Sequence, residues 1–213
     1  MSPGEANRAR QGRGIIISFD DGYQHLSVVL PNFMEEHSFR PIVFIPSRLI
    51  GRVNRWDYTY HFRATPHLDR QAVRKLADLG VVFGSHGASH RDLTSCSSSE
   101  LRDELWDSRR ALQDLTEQEI DAISYPFGRC NQRVIEQAQE AGYRLGYTMR
   151  LPQINDHPLA LGRVPVYAYD TPWSINRKLD AGPVNQIERF KTDTVNRLAT
   201  GTIWLNRLRR FRP

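Results

Sequence analysis

The sequence predicts an α/β fold in which helices cover a parallel sheet. Three observations carry that expectation. Short β-branched or aromatic runs alternate with helical segments along the chain. Two of the runs, "GIIISF" and "PIVFIP", are apolar throughout, as strands buried on both faces are. Polar clusters ("DDG", "SHGASH" and "YPFG") follow three of the expected strands, and α/β proteins bind ligands at that edge of the sheet.

The elements follow in order. Residues 1–13 are polar and Arg-rich and form no element. "GIIISF" is the first strand and ends at Asp20 and Asp21. Residues 24–37 read as a helix, because Leu26, Val29, Leu30, Phe33 and Met34 recur at helical spacing; Pro31 should bend or restart it. "PIVFIP" is the second strand, and residues 47–67 form a long aromatic connection of the kind that is often functional. A helix then runs from the N-cap Asp69 to Gly80, and "VVFGS" is the third strand. A helix from about Ser98 to Leu115, capped by Ser98 or Ser99, precedes the short strand in "AISYPFG". The next helix is opened by Asn131 and closed by Gly142. "YRLGYTM" and "ALGRVPVY" are two further strands, and Thr171 with Pro172 starts a last helix. Residues 1–213 read as one domain, with a core from about 14 to 182.

The 213 residues suffice to bury a full core. Lys and Arg number 29 against 24 Asp and Glu, a formal net charge of +5. Much of the difference sits in "NRARQGR" and "NRLRRFRP", which suits solvated tails better than contact with an anionic partner such as a membrane surface, and no nucleic-acid partner is expected. The tail "TIWLNRLRRFRP" is apolar on one side and basic on the other, so peripheral membrane contact through the C-terminus is the competing expectation. Cys96 and Cys130 form no C-x-x-C pair, so neither a disulfide framework nor a thiolate zinc site is indicated. No apolar run approaches the ~18 residues of a membrane span, and no secretory apolar core is present. The expected location is cytoplasmic, with membrane contact at the periphery at most.

The chemistry concentrates in a few residues. His86 and His90 stand four apart, which places both rings on one side of a helical turn, and two neutral imidazoles there can hold one divalent ion. The zinc-peptidase pattern H-E-x-x-H needs Glu after the first His; Gly87 stands there, so a base must come from elsewhere. Asp20 and Asp21 admit two readings. In one, Asp21 caps the following helix and Asp20 is solvated. In the other, one carboxylate completes a His–His–Asp metal site, and its neighbour stays uncoordinated and accepts a proton from the attacking water.

"SFDDGY", "GSHGASHRDL" and "SYPFG" resemble the first three motifs of the polysaccharide deacetylase family, the NodB homology domain of carbohydrate esterase family 4. The resemblance covers roughly Ile15 to Leu179. It implies a distorted, incomplete (β/α) barrel and metal-dependent removal of an N-acyl group, usually acetyl, from a sugar of a polysaccharide or glycoconjugate. Carried over by position, it makes Asp20 the base, Asp21, His86 and His90 the ligands of one divalent ion, and the backbone N–H of Phe127 the oxyanion donor. Zinc suits two His and one carboxylate, and cobalt, nickel and ferrous iron are also compatible. Tyr125 and Pro126 of the third motif, with Trp56, Tyr58 and His61 of the aromatic connection, are the expected substrate contacts, since aromatic faces suit the C–H faces of pyranoses.

The sequence also departs from the family pattern. Ser124 stands where many members carry an Arg that orients the catalytic aspartate. The late Leu-x-His is missing from "LGRVPVYAYD", which leaves the general acid unassigned, with His25, His61 and His157 as candidate imidazoles. The pattern resembles members encoded with polysaccharide or glycoconjugate assembly more than secreted chitin or peptidoglycan deacetylases, and the expected substrate is an N-acetylated glycan or lipid-linked sugar. Two alternatives follow from these gaps: a weakly active or inactive glycan-binding relative, and a hydrolase of a non-sugar amide.

Overall fold

The computed structural model describes residues 15–37, 39–54, 65–153, 155–167 and 169–179. Five parallel strands lie side by side in chain order: β1 (Ser18–Phe19), β2 (Ile42–Ile45), β3 (Val82–Ser85), β4 (Ala122–Ser124) and β5 (Leu145–Tyr147). Ser18 pairs with Ile42, Ile45 with Ser85, Ser85 with Ile123 and Ser124 with Tyr147. Each crossover therefore steps to the next position in the same direction, and the twisted sheet curls into a half-barrel. Strand alternation then separates two faces. Val43 and Ile45 join the large core beneath the helices, whereas Ile42 and Phe44 pack on the other face with Ala122 and Tyr147.

The helices begin where cap residues satisfy their first N–H groups. α1 (Leu26–His37) is continuous through Pro31. α2 (Arg70–Asp78) starts at Asp69, whose carboxylate accepts from Ala72 N at 2.8 Å. α3 (Ser98–Arg102) is opened one residue earlier than expected, by a capping box between Ser97 and Glu100. It passes through a π-helical turn (Asp103–Asp107) into α4 (Ser108–Thr116). α5 (Gln132–Glu140) is capped by Asn131, and α6 (Pro172–Leu179) by Thr171, whose hydroxyl accepts from Ser174 N at 3.2 Å.

Three expectations are corrected. The first strand is only two residues long, and Ile15 and Ile16 are 74% and 36% exposed, because β1 is an edge of the sheet and lacks the two-sided cover that β2 has. "ALGRVPVY" forms no strand; it touches the sheet through a single parallel bridge between Leu161 and Tyr147. Residues 86–90 are not helical but a loop, with Gly87 and His90 at φ 72° and 55°. The two His rings still meet, with centroids 4.8 Å apart, because the loop folds back on itself.

Gly84 shows how tightly the curled sheet is filled. A Cβ there would lie 2.4 Å from the Phe44 ring and 3.1 Å from the Ala122 carbonyl. Gly84→Ala should therefore lower stability by about 1–3 kcal/mol, the usual cost of overpacking. Adding Phe44→Leu should recover part of that loss, as measured by the urea midpoints of the single and double variants.

Candidate metal centre and active site

The candidate residues stand at the carboxyl ends of β1, β3 and β4. Asp20 and Asp21 follow β1 directly, His86 follows β3, and Phe127 lies in a 3₁₀ turn after β4. Asp21, His86 and His90 bring one ligand atom each to within 4.8 Å of one another. Asp21 Oδ1 lies 3.6 Å from His86 Nε2 and 3.3 Å from His90 Nε2. Both imidazoles are nearly buried, at 3% and 7% side-chain exposure.

The tautomer of His86 follows from its partner. Nδ1 lies 2.6 Å from the Ser124 carbonyl, which can only accept, so Nδ1 carries the proton and Nε2 presents its lone pair toward Asp21. Burial, first, pushes the His90 ring well below its ordinary pKa; the neighbouring His86 ring disfavours a second proton there, and Asp20 opposes the shift. His90 is thus a neutral lone-pair donor. Two neutral imidazoles and a carboxylate converging on one point fit a divalent cation.

Asp20 is held apart from this group. Arg163 grips it with both arms, Nη1 to Oδ1 at 2.8 Å and Nη2 to Oδ2 at 2.7 Å. Ser124 donates its hydroxyl to Asp20 Oδ2 at 3.1 Å and accepts from Arg163 Nη2 at 2.9 Å. Ser18 and the Thr148 carbonyl take further Arg163 protons, and the guanidinium lies over the Phe44 and Tyr147 rings. Burial alone would raise the pKa of Asp20. The hydrogen bond and charge of Arg163 outweigh it and, with His86 and Ser124, lower the pKa to about 2. Asp20 therefore remains an oriented carboxylate at neutral pH.

Arg163 thus occupies the role left vacant at Ser124, and sequence reasoning missed it. It lies in the "LGRVPVY" segment, 143 positions from Asp20, and backbone hydrogen bonds from Leu161 to Gly146, Thr148 to Leu161 and Arg163 to Arg150 bring it alongside β5. Glu104 was missed as well. Its buried carboxylate, carried on the π-helical turn, accepts from Ala88 N at 2.8 Å, Ser89 N at 2.9 Å and the Ser89 hydroxyl. It thereby clamps the loop between the two His. Asp92, just past that loop, pairs with Arg129 at 3.1 Å and ties it to the turn after β4.

Other expected site residues fare differently. Phe127 stands beside the centre with φ 60°, and its ring lies 4.8 Å from that of His90. Tyr125 is a correction: its side chain is fully buried, and its hydroxyl donates to the Leu159 carbonyl at 2.8 Å, so it anchors the core instead of meeting a ligand. Pro126 is also buried, packed against the Gly87 side of the His loop. His157 caps a turn and lines a cavity with Glu119 and Arg144, residues that precede β4 and β5, so it sits at the opposite end of the sheet from Asp20. His25 is exposed and stacks on Tyr23. Trp56, Tyr58 and His61, like the basic C-terminal tail, lie outside the described residues. No helix among the described residues is long and apolar enough to cross a membrane.

Residues 7–146 match the sequence pattern of the polysaccharide deacetylase family. The polysaccharide deacetylase-like protein YxkH of Bacillus subtilis is 25% identical over 134 residues, 63% of this chain and 44% of that protein. The match covers less than half the length of the curated relatives. The fold is shared with the Streptococcus pyogenes deacetylase PplD, solved in complex with acetate, at a TM-score of 0.69 and 22% identity over 84% of this chain and 79% of that one. A de-N-acetylase of Aggregatibacter actinomycetemcomitans is similar at a TM-score of 0.64 and 16% identity, over 83% and 81% of the two chains.

If Arg163 acts by geometry and not by charge alone, Arg163→Lys should not replace it. Turnover should fall by about a hundredfold, the scale of an ångström-sized misplacement. Bound metal, measured by elemental analysis, should be unchanged.

Proposed function

The chain belongs to the polysaccharide deacetylase family, and on that premise we propose that it is a metal-dependent hydrolase that removes an N-acyl group, acetyl in the first instance, from a sugar of a polysaccharide or glycoconjugate. One observation carries the reading: a carboxylate, Asp20, is held ionised and oriented beside a separate His–His–Asp set. A module that only bound glycans would have no use for that division of labour.

Asp21, His86 and His90 would hold one divalent ion, with zinc first among the metals this donor set suits. When bound, the ion supplies Lewis acidity, which polarises an amide carbonyl and makes water a better nucleophile near neutral pH. Asp20 accepts the proton of the attacking water as a new C–O bond forms at the acyl carbon. Arg163 and Ser124 keep its oxygens aimed during that transfer by donating to them, and the guanidinium cannot take the proton because it has no acceptor lone pair. The backbone N–H of Phe127 donates to the oxyanion that develops on the former carbonyl oxygen, a donation typically worth a few kcal/mol. When the C–N bond breaks, the departing nitrogen needs one proton. Asp20 has just gained one, so a single carboxyl balances both steps, and no histidine beyond the metal set is required.

The experiment is acetate release from a panel of N-acetylated glycans and lipid-linked sugars, with and without chelator. Activity should require the ion and return when zinc is restored. Asp20→Asn should lose at least the ~10²-fold of a general base while elemental analysis still finds metal. Near-normal kcat in that variant would remove Asp20 as the base. His86→Ala combined with His90→Ala should abolish metal content; unchanged content would refute the ligand assignment.

A further inference from the structure

We infer that His67, which lies in none of the sequence motifs, is a positioning residue that fixes the backbone of Asp21 and thereby sets the affinity of the metal site; the inference rests on the reading of Asp21, His86 and His90 as ligands.

Asp21 is held in an unfavourable conformation. Its φ is 67°, in the left-handed region, and Gly22 follows at φ 60°. For a residue with a Cβ that region is disfavoured, so the surroundings must hold it there. Gly22 cannot be relaxed by substitution, because a Cβ there would lie 2.7 Å from Ile45 Cγ1. The turn is gripped from outside by the strap of residues 65–69 that leads into α2. Gln24 N donates to the Pro66 carbonyl at 2.8 Å, and Leu68 N donates to the Gly22 carbonyl at 2.8 Å. Tyr23 and His67 form an antiparallel bridge.

His67 supplies the side-chain part of this grip. Its Nδ1 lies 2.7 Å from the Asp21 carbonyl oxygen. A carbonyl only accepts, so Nδ1 carries the proton and donates. The ring is only 1% exposed and stacks on Tyr23, with centroids 5.4 Å apart and planes 20° apart. The Tyr23 hydroxyl in turn accepts from Asn54 Nδ2 at 2.9 Å, and His67 N donates to the Arg52 carbonyl at 2.9 Å. The donor is therefore fixed in place before Asp21 is considered. Removing it would strip the Asp21 carbonyl of this partner and free the peptide to rotate. A return of Asp21 to negative φ would swing its Cβ away, carrying Oδ1 from the two Nε2 atoms it now faces at 3.3 and 3.6 Å. His67 acts on the metal site in this way without being a ligand.

The test uses the full chain, stripped of metal, and reads Zn²⁺ affinity by competition with a chromophoric chelator and the visible spectrum of the Co²⁺ form. His67→Leu keeps an apolar filling but has no donor. It should weaken Zn²⁺ binding by about 10–100-fold, the usual effect of losing a partner behind a ligand, and shift the Co²⁺ bands. His67→Asn places an amide N–H near the position of Nδ1 and should recover most of the affinity and the native spectrum. If the Leu variant does not fold, His67→Ser, too short to reach the carbonyl, takes its place. Wild-type affinity in the Leu or Ser variant, or an Asn variant as weak as they are, would overturn the role of His67 while leaving the metal site standing. A wild-type protein that binds neither ion would overturn the ligand assignment itself, and this inference with it.

Discussion

Two adjacent carboxylates at the end of a strand have to be kept ionised and kept from competing for the same partner. Much of the site's local structure serves that constraint. Asp21 is turned toward the imidazoles by a left-handed backbone, and Asp20 is turned toward Arg163. The two side chains thus face opposite ways, Asp21 toward the two imidazoles of the candidate metal centre and Asp20 toward a guanidinium. A short strand at the sheet's edge suits this arrangement. β1 pairs over only two residues, so the chain is free to bend sharply immediately after Phe19.

The rest of the fold supplies the partners. Parallel strands in simple order place the ends of β1, β3 and β4 on one rim, and the loop after β3 contributes both imidazoles. The candidate site residues are then held from behind. His86 is oriented by the Ser124 carbonyl and the His loop by Glu104, while Asp20 is oriented by Arg163. The first two contacts link the loop after β3 to β4 and to the helix behind it, and the third spans from the end of β1 to the segment beside β5, across the two edges of the sheet. The site's geometry is consequently tied to the register of the half-barrel, and it can be precise although the residues bearing it lie on loops.

The sequence made the reactive residues legible because they are local. Asp20 and Asp21 adjoin an apolar run, and His86 and His90 are four apart, so spacing made them candidates and the resemblance of three short motifs to one family assigned their roles. Helix starts were legible for the same reason: Asp69, Asn131 and Thr171 cap the helices they were expected to cap. Long-range and backbone-determined features stayed hidden. Nothing in "LGRVPVY" marks Arg163 as the partner of Asp20, since the pairing depends on a loop that returns along β5. His67 looks like an ordinary loop histidine until the strap is laid against the turn it grips. The π-helical turn that aims Glu104 has no sequence signal of its own. Tyr125 was misread in the opposite sense: an aromatic inside a motif suggested contact with a ligand, but strand alternation buries it.

Arg163 also changes how a missing motif residue should be weighed. An arginine absent from its expected place in the third motif, with Ser124 in its stead, suggested a weakened or inactive relative. The physical requirement, however, is a bidentate cation against Asp20, and it does not specify which strand supplies it. Here the small Ser124 leaves room for a guanidinium arriving from the far side of β5, and its hydroxyl joins the network by bridging the two partners. The aromatic rings of Phe44 and Tyr147 line the path of that side chain and give its charge a favourable face to rest on. Phe44 could not lie there if position 84 carried a Cβ. Ser124, Gly84, Phe44, Tyr147 and Arg163 therefore form one solution to one electrostatic problem, distributed over four strands and the segment beyond them. The gap in the motif is matched by a bidentate guanidinium from another segment, so the missing arginine does not by itself argue for an inactive relative.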